Sequence, residues 1–226
     1  MPKVGVILSG CGVYDGAEIH ESVAVLHALE KRGAEVACLA PDIELDEIDH
    51  LTGEETGQTR RVLREAARIA RGRITPLNEV KGGDFDAIVL PGGFGAAKNL
   101  CDFAVNGATC QADPETARVL TEAQDAGRPL GFACISPALA ARVFGQSLHP
   151  TLTIGDDAGT AKGLEGMGAT HRDCDVRDIV VDEANSIVST PAYMYDASVP
   201  DVFEGIDRMV DRVLAMVREP ARSSGG

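Results

Sequence analysis

Cations are scarce in this sequence. Lys and Arg number 21 against 35 Asp and Glu, a formal net charge of −14. That balance argues against general binding of nucleic acid or of anionic membrane surfaces. Long apolar runs are missing too, since no stretch approaches the ~20 residues that a membrane span requires. A strand-like segment, Val4 to Leu8, follows closely on Met1, so no signal peptide or Arg-rich targeting segment is read there. The six cysteines (Cys11, Cys38, Cys101, Cys110, Cys134 and Cys174) form no CxxC pair. The five histidines (His20, His27, His50, His149 and His171) show no ligand spacing. A metal site is therefore not expected. The thiols read as free in a reducing compartment, and the expected location is the cytoplasm. Repeats, low-complexity tracts and linkers are lacking, so residues 1–220 read as one domain and 221–226 as a flexible tail.

What is present has the pattern of an α/β protein. The 226 residues are 44% hydrophobic and 25% charged, ordinary for a globular chain with a sizeable core. Val4–Leu8, Glu35–Ala40, Asp86–Leu90 and Leu130–Ala133 are short apolar runs suited to buried parallel strands. A helix ending at Gly33 separates the first two, which makes a right-handed βαβ unit. Pro41 to Gly57 reads as a polar connection, and a helix is expected over 58–70, with Arg60, Arg64, Arg68 and Arg71 along one side. Further helices are expected from Asp113 to Gly127 and over 157–168, with a short strand at Thr151–Ile154 between them. Asp178–Asp182 and Ser186–Thr190 flank a turn and read as an antiparallel hairpin. Val202, Ile206, Met209, Val210, Val213, Leu214 and Val217 lie on one stripe of a last helix that begins near Pro200.

Three stretches carry chemistry. Cys134 sits where the strand ending at Ala133 meets a helix expected from Ile135 to Phe144, the sequence form of a nucleophile elbow. A thiol at a helix N-terminus is expected to favour the thiolate. Pro91-Gly92-Gly93 follows another strand, and paired glycines there let backbone N–H groups approach a ligand. The Gly93 and Ile135 N–H groups are the candidate oxyanion donors. Glu18 and Glu21 open the first helix on the same rim, and a carboxyl buried there would have its pKa raised. The loop Ser9–Gly16 places its glycines as GxGxxxG rather than GxGxxG, so nucleotide binding is not expected.

The loop Val4–Gly16, His50-Leu51-Thr52-Gly53-Glu54, Pro91–Leu100, the Cys134 elbow and Thr190-Pro191-Ala192-Tyr193-Met194 together closely resemble the ElbB-type glyoxalases. That bacterial group, associated with isoprenoid biosynthesis, belongs to the PfpI-like, class I glutamine amidotransferase-like superfamily. The likeness runs from about Lys3 to Val217. It implies a flavodoxin-like three-layer sandwich with a mainly parallel sheet over residues 1–220. It also implies a nucleophile at Cys134, an acid/base carboxylate at Glu21 rather than Glu18, oxyanion donors at Gly93 and Ile135, and a homodimer. One departure stands out. Many superfamily members carry a catalytic His some way after the Cys, where this chain reads Thr153-Ile154-Gly155-Asp156, with His149 displaced and His171 far along. Glutamine hydrolysis is the activity that this weakens most.

The expected chemistry is conversion of glyoxal, a small 2-oxoaldehyde, to glycolate through a Cys134 hemithioacetal, with Glu21 shuttling a proton. No nicotinamide, flavin or metal cofactor is needed for such an internal rearrangement. The alternative is a redox-sensing or protein-protective cysteine with little turnover.

Overall fold

A computed structural model describes residues 1–218; the expected tail at 221–226 lies outside the described residues. The chain runs β1 (Lys3–Ile7), α1 (Ile19–Lys31), β2 (Glu35–Ala40), β3 (Glu44–Ile48), β4 (Glu55–Arg61), α2 (Val62–Ile69), β5 (Ile74–Pro76), β6 (Ala87–Leu90), α3 (Phe94–Lys98), α4 (Phe103–Asn106), α5 (Pro114–Asp125), β7 (Leu130–Ala133), α6 (Pro137–Leu148), β8 (Thr151–Leu152), α7 (Ala158–Gly166), β9 (Thr170–His171), β10 (Val180–Asp182), β11 (Ile187–Thr190) and α8 (Val199–Arg218). Seven strands form the main sheet in the order β10-β11-β7-β6-β1-β2-β5. Every pairing is parallel except β10 with β11. This is the flavodoxin-like α/β sandwich.

Alternation along the central strands builds the layers. Val4, Val6 and Val89 pack on one face, against α1, α2 and α8. Ile7, Ile88 and Leu90 pack on the other, against α5, α6 and α7. A strand whose two faces are both covered has to be apolar throughout, as β6 and β7 are. α5 starts cleanly because Asp113 accepts the Thr116 N–H at 2.8 Å and Pro114 fills the first helical position. Among the described residues no helix is long and apolar enough to cross a membrane.

Several expectations are corrected. Residues 58–61 are strand, not helix; they close a β3–β4 hairpin inside the expected polar connection, and α2 begins only at Val62. Arg60 therefore lies on the hairpin, where it pairs with Glu47 and Glu65. Arg68 joins Glu65 from the helix at 3.2 Å. The strand at 151 stops at Leu152, and the glycine-interrupted helix is trimmed to Ala158–Gly166. β5 was not foreseen: Ile74–Pro76 is too short to show a period.

The helix that carries the candidate acid is tied to the last one. Arg32, past the end of α1, donates two hydrogen bonds of 2.7 Å to Asp207 and one of 3.0 Å to Asp211, both on α8. The fork geometry makes this stronger than an ordinary surface pair. Arg32→Met should cost about 1–2 kcal/mol of stability, read as a lower urea midpoint with an unchanged slope. An unchanged midpoint would show that the pair is only decorative.

Candidate active site

Cys134 caps β7. Its N–H donates to Thr190 O at 3.0 Å, which extends the β7–β11 ladder by one rung. Its φ of 59° lies in the left-handed region, a strained position for a non-glycine residue. Ser136 braces the turn: fully buried, its Oγ donates to Ala133 O at 2.8 Å and lies 3.2 Å from Leu90 O. α6 starts at Pro137, two residues later than expected. The sulfur is thus thrust out at the carboxyl ends of the parallel strands, the usual ligand edge of such a sheet, with the residue only 7% exposed.

Glu21 comes from the first turn of α1. The two acids of that turn divide the work. Glu18 is the N-cap and accepts the Glu21 N–H at 2.6 Å. Glu21 is wholly buried and points across the loop after β6. Its Oε2 accepts the Gly92 N–H at 2.8 Å, and its Oε1 accepts the Tyr193 N–H at 3.2 Å. Both candidate groups converge on Gly92. A Cβ placed there would stand 2.9 Å from the Cys134 sulfur, 2.9 Å from Glu21 Oε2 and 2.4 Å from the Cys134 Cβ. Glycine is the only residue this meeting tolerates. The Gly93 and Ile135 N–H groups lie close enough to the Cys134 side chain to favour its thiolate.

Electrostatics overturn the expected thiolate. Burial and the facing Glu21 charge push the Cys134 thiol well above its ordinary value, outweighing the Gly93 and Ile135 N–H groups. The helix dipole does not rescue it, because α6 begins three residues further on. Burial and the Glu18 charge raise Glu21 to about 7, against the two backbone donors. Two buried acids this close cannot both ionise easily. Near neutrality the pair keeps at least one proton, and the carboxyl is the group that titrates.

The glycine loop after β1 serves packing. A Cβ on Gly16 would lie 2.3 Å from Cys11 N, and one on Gly95 would lie 2.5 Å from Gly16 Cα. The loops after β1 and β6 therefore touch backbone to backbone, with Gly95 N–H donating to Gly16 O at 2.9 Å. Cys11 faces Arg68, Glu65 and Asp15, and burial raises its pKa. Neither late histidine meets Glu21 or Cys134. His149 Nδ1 lies 3.0 Å from Gly168 O, and His171 Nε2 accepts the Ile154 N–H. The histidine at this rim is His20, whose Nδ1 lies 2.9 Å from the Tyr193 hydroxyl. Sequence reasoning missed Tyr193, which acts through its backbone N–H, and Ser136; the Thr190–Met194 stretch was the available signal for the first.

The fold and this strand-junction cysteine define a class, the glutamine amidotransferase-like proteins of flavodoxin-like fold. No protein-family model matches the chain. It is 44% identical over 225 residues to the human mitochondrial glutamine amidotransferase-like class 1 domain-containing protein 3, spanning 95% of this chain and 83% of that one. It is 31% identical to the zebrafish mitochondrial ES1 protein, over 95% and 86% of the two chains. A crystal structure of an isoprenoid biosynthesis protein with an amidotransferase-like domain from Ehrlichia chaffeensis superposes with a TM-score of 0.91 at 33% identity, covering 96% of this chain and all of that one. Glyoxalase III from Candida albicans shares the fold alone, with a TM-score of 0.59 at 14% identity over 95% and 97%. The chain belongs to the glutamine amidotransferase-like class 1 family that holds the ES1 proteins. The cytoplasmic expectation does not stand, since these curated relatives are named mitochondrial.

Two outcomes follow from the geometry. Gly92→Ala forces the thiol and carboxyl apart and should cost about 1–3 kcal/mol by overpacking, measured by urea unfolding. The second concerns pH. Glu21 binds its proton more tightly folded, at about 7, than unfolded. Its contribution is complete at low pH and is lost as the pH rises through about 7. Between pH 5 and 8 the wild type should therefore lose on the order of 2 kcal/mol more stability than Glu21→Gln. Parallel curves would mean that Glu21 does not titrate there.

Proposed function

We propose that this chain is an ElbB-type, cofactor-independent glyoxalase that converts small 2-oxoaldehydes such as glyoxal to 2-hydroxy acids. The observation that carries the reading is the convergence of Glu21 and Cys134 on Gly92. A sulfur nucleophile, a carboxyl able to change protonation near pH 7 and two N–H groups meet around Gly92. Residues 1–220 act as one domain in this reading, and the chain works as a homodimer.

Because the resting thiol is protonated, Glu21 has to act first as a base. The carboxylate takes the Cys134 proton as sulfur adds to one carbonyl of the dialdehyde. The oxygen that becomes negative is held by the Gly93 and Ile135 N–H groups and then protonated, giving a hemithioacetal. Glu21 next removes the C–H proton from that carbon, and an enediol forms. Return of the proton to the neighbouring carbon leaves a thioester of the hydroxy acid. Water cleaves the thioester, restoring the thiol and releasing glycolate. The carbon oxidised and the carbon reduced belong to the same molecule, so glyoxal and one water account for every atom and electron. A buried carboxyl suits the shuttle, since its two protonation states lie close in energy near pH 7.

The test is glycolate formation from glyoxal by the pure protein. Cys134→Ser and Glu21→Gln should each lower kcat/KM by at least about 100-fold. A wild-type rate in Cys134→Ser would end the proposal. For the wild type, kcat/KM should climb as the pH rises through about 7, where Glu21 becomes a carboxylate, and then level off. A fall over that range would remove Glu21 as the base.

A further inference from the structure

One short segment touches both halves of the site. The carbonyl of Thr190, the last residue of β11, accepts the Cys134 N–H, and the Tyr193 N–H reaches Glu21 Oε1 at 3.2 Å. Between them lies Ala192, wholly buried with a φ of 46°. That is left-handed backbone, which a residue with a Cβ keeps only where its surroundings enforce it. Within the turn, the Met194 N–H donates to Pro191 O at 3.0 Å. From α1, His20 Nδ1 meets the Tyr193 hydroxyl at 2.9 Å, and the two ring centroids are 5.9 Å apart. His20 directly precedes Glu21 on that helix. The helix that carries the acid thus also grips the residue whose N–H holds the acid. The reaction proposed above uses neither the His20 nor the Tyr193 side chain.

We propose that His20 and Tyr193 are positioning residues: the bond between their side chains clamps the Ala192–Tyr193 peptide in its strained form, so that its N–H stays on Glu21 and favours the carboxylate. Without the clamp Ala192 relaxes, the peptide turns, and Oε1 loses its donor. Burial and Glu18, on the same helix, oppose ionisation of Glu21; the Gly92 and Tyr193 N–H groups and the Cys134 thiol, at the end of β7, favour it. The Gly92 donor is fixed by packing on every side, whereas the Tyr193 donor depends on the clamp. His20 Nδ1 also stands 3.9 Å from Glu18 Oε1, so the test has to separate the bond from a charge on the ring. The clamp deepens the reading of Glu21 as the base, but its test needs no turnover.

The readout is the Glu21 carboxyl midpoint, followed by carbon NMR and assigned by its absence from Glu21→Gln. The wild type should titrate at about 7. Tyr193→Phe, which keeps the ring, and His20→Ala should each raise the midpoint by about one pH unit, the size of one hydrogen bond to a charged group. Combining the two should raise it no further. His20→Asn, whose amide takes the place of Nδ1 and carries no charge, should return the midpoint to the wild-type value. A midpoint unmoved in both Tyr193→Phe and His20→Ala, or raised as far in His20→Asn as in His20→Ala, overturns the clamp and leaves the glyoxalase reading intact. The expected midpoints in a protein that makes no glycolate from glyoxal would end the glyoxalase reading and leave the clamp standing. A wild-type Glu21 that does not titrate near neutrality overturns both.

Discussion

The site depends on a missing side chain. At Gly92 the backbone passes between a carboxyl from α1 and a sulfur from the end of β7, and even a methyl group would lie within 3 Å of both. The same residue supplies the N–H that holds Glu21 Oε2, and its carbonyl accepts the N–H of the α1 N-cap, Glu18, at 3.0 Å. One glycine therefore sets the spacing, aims the acid and anchors the helix that carries it. The glycines around it extend this logic. Gly16, Gly93 and Gly95 let neighbouring loops touch along their backbones, where any Cβ would fall within about 2.5 Å of another atom. The loop rich in glycine after β1 is explained by this contact.

The architecture was legible because its signal is local. Val4–Leu8 and Leu130–Ala133 are apolar on both faces, and the α8 stripe repeats at helical spacing. The β3–β4 hairpin was not legible. Most of its residues are polar or charged, and it is held by pairing with itself and by contacts far away in sequence. Asp15 accepts the Ile48 N–H at 3.0 Å, and Arg60 reaches Glu47 and Glu65. Arg60, Arg64 and Arg68 happen to fall at helical spacing, so periodicity placed a helix over residues that are strand. Strand pairing overrode the pattern.

The candidate site divides along the same line. An elbow cysteine and a helix-opening glutamate can be seen as residue types at positions. A backbone donor cannot: nothing in Tyr193 as a letter says that its N–H will hold Glu21 Oε1. The protonation states were misread for a related reason. A dipole argument uses only neighbours in the chain, whereas desolvation depends on everything packed around the sulfur. Burial leaves Cys134 with a raised pKa and makes Glu21 the group that titrates near 7.

That inversion changes what kind of thiol this is. A low-pKa thiolate attacks whatever electrophile reaches it. A buried, protonated thiol becomes nucleophilic only when its neighbour takes the proton, and that neighbour is a single carboxyl held by two N–H groups. In the proposed reaction, reactivity is gated by geometry: an electrophile must sit between Sγ and the Gly93 and Ile135 donors while Glu21 is ionised. A thiol kept protonated by burial is the weaker nucleophile toward bulk oxidants, which supports the proposed turnover over a sensor role.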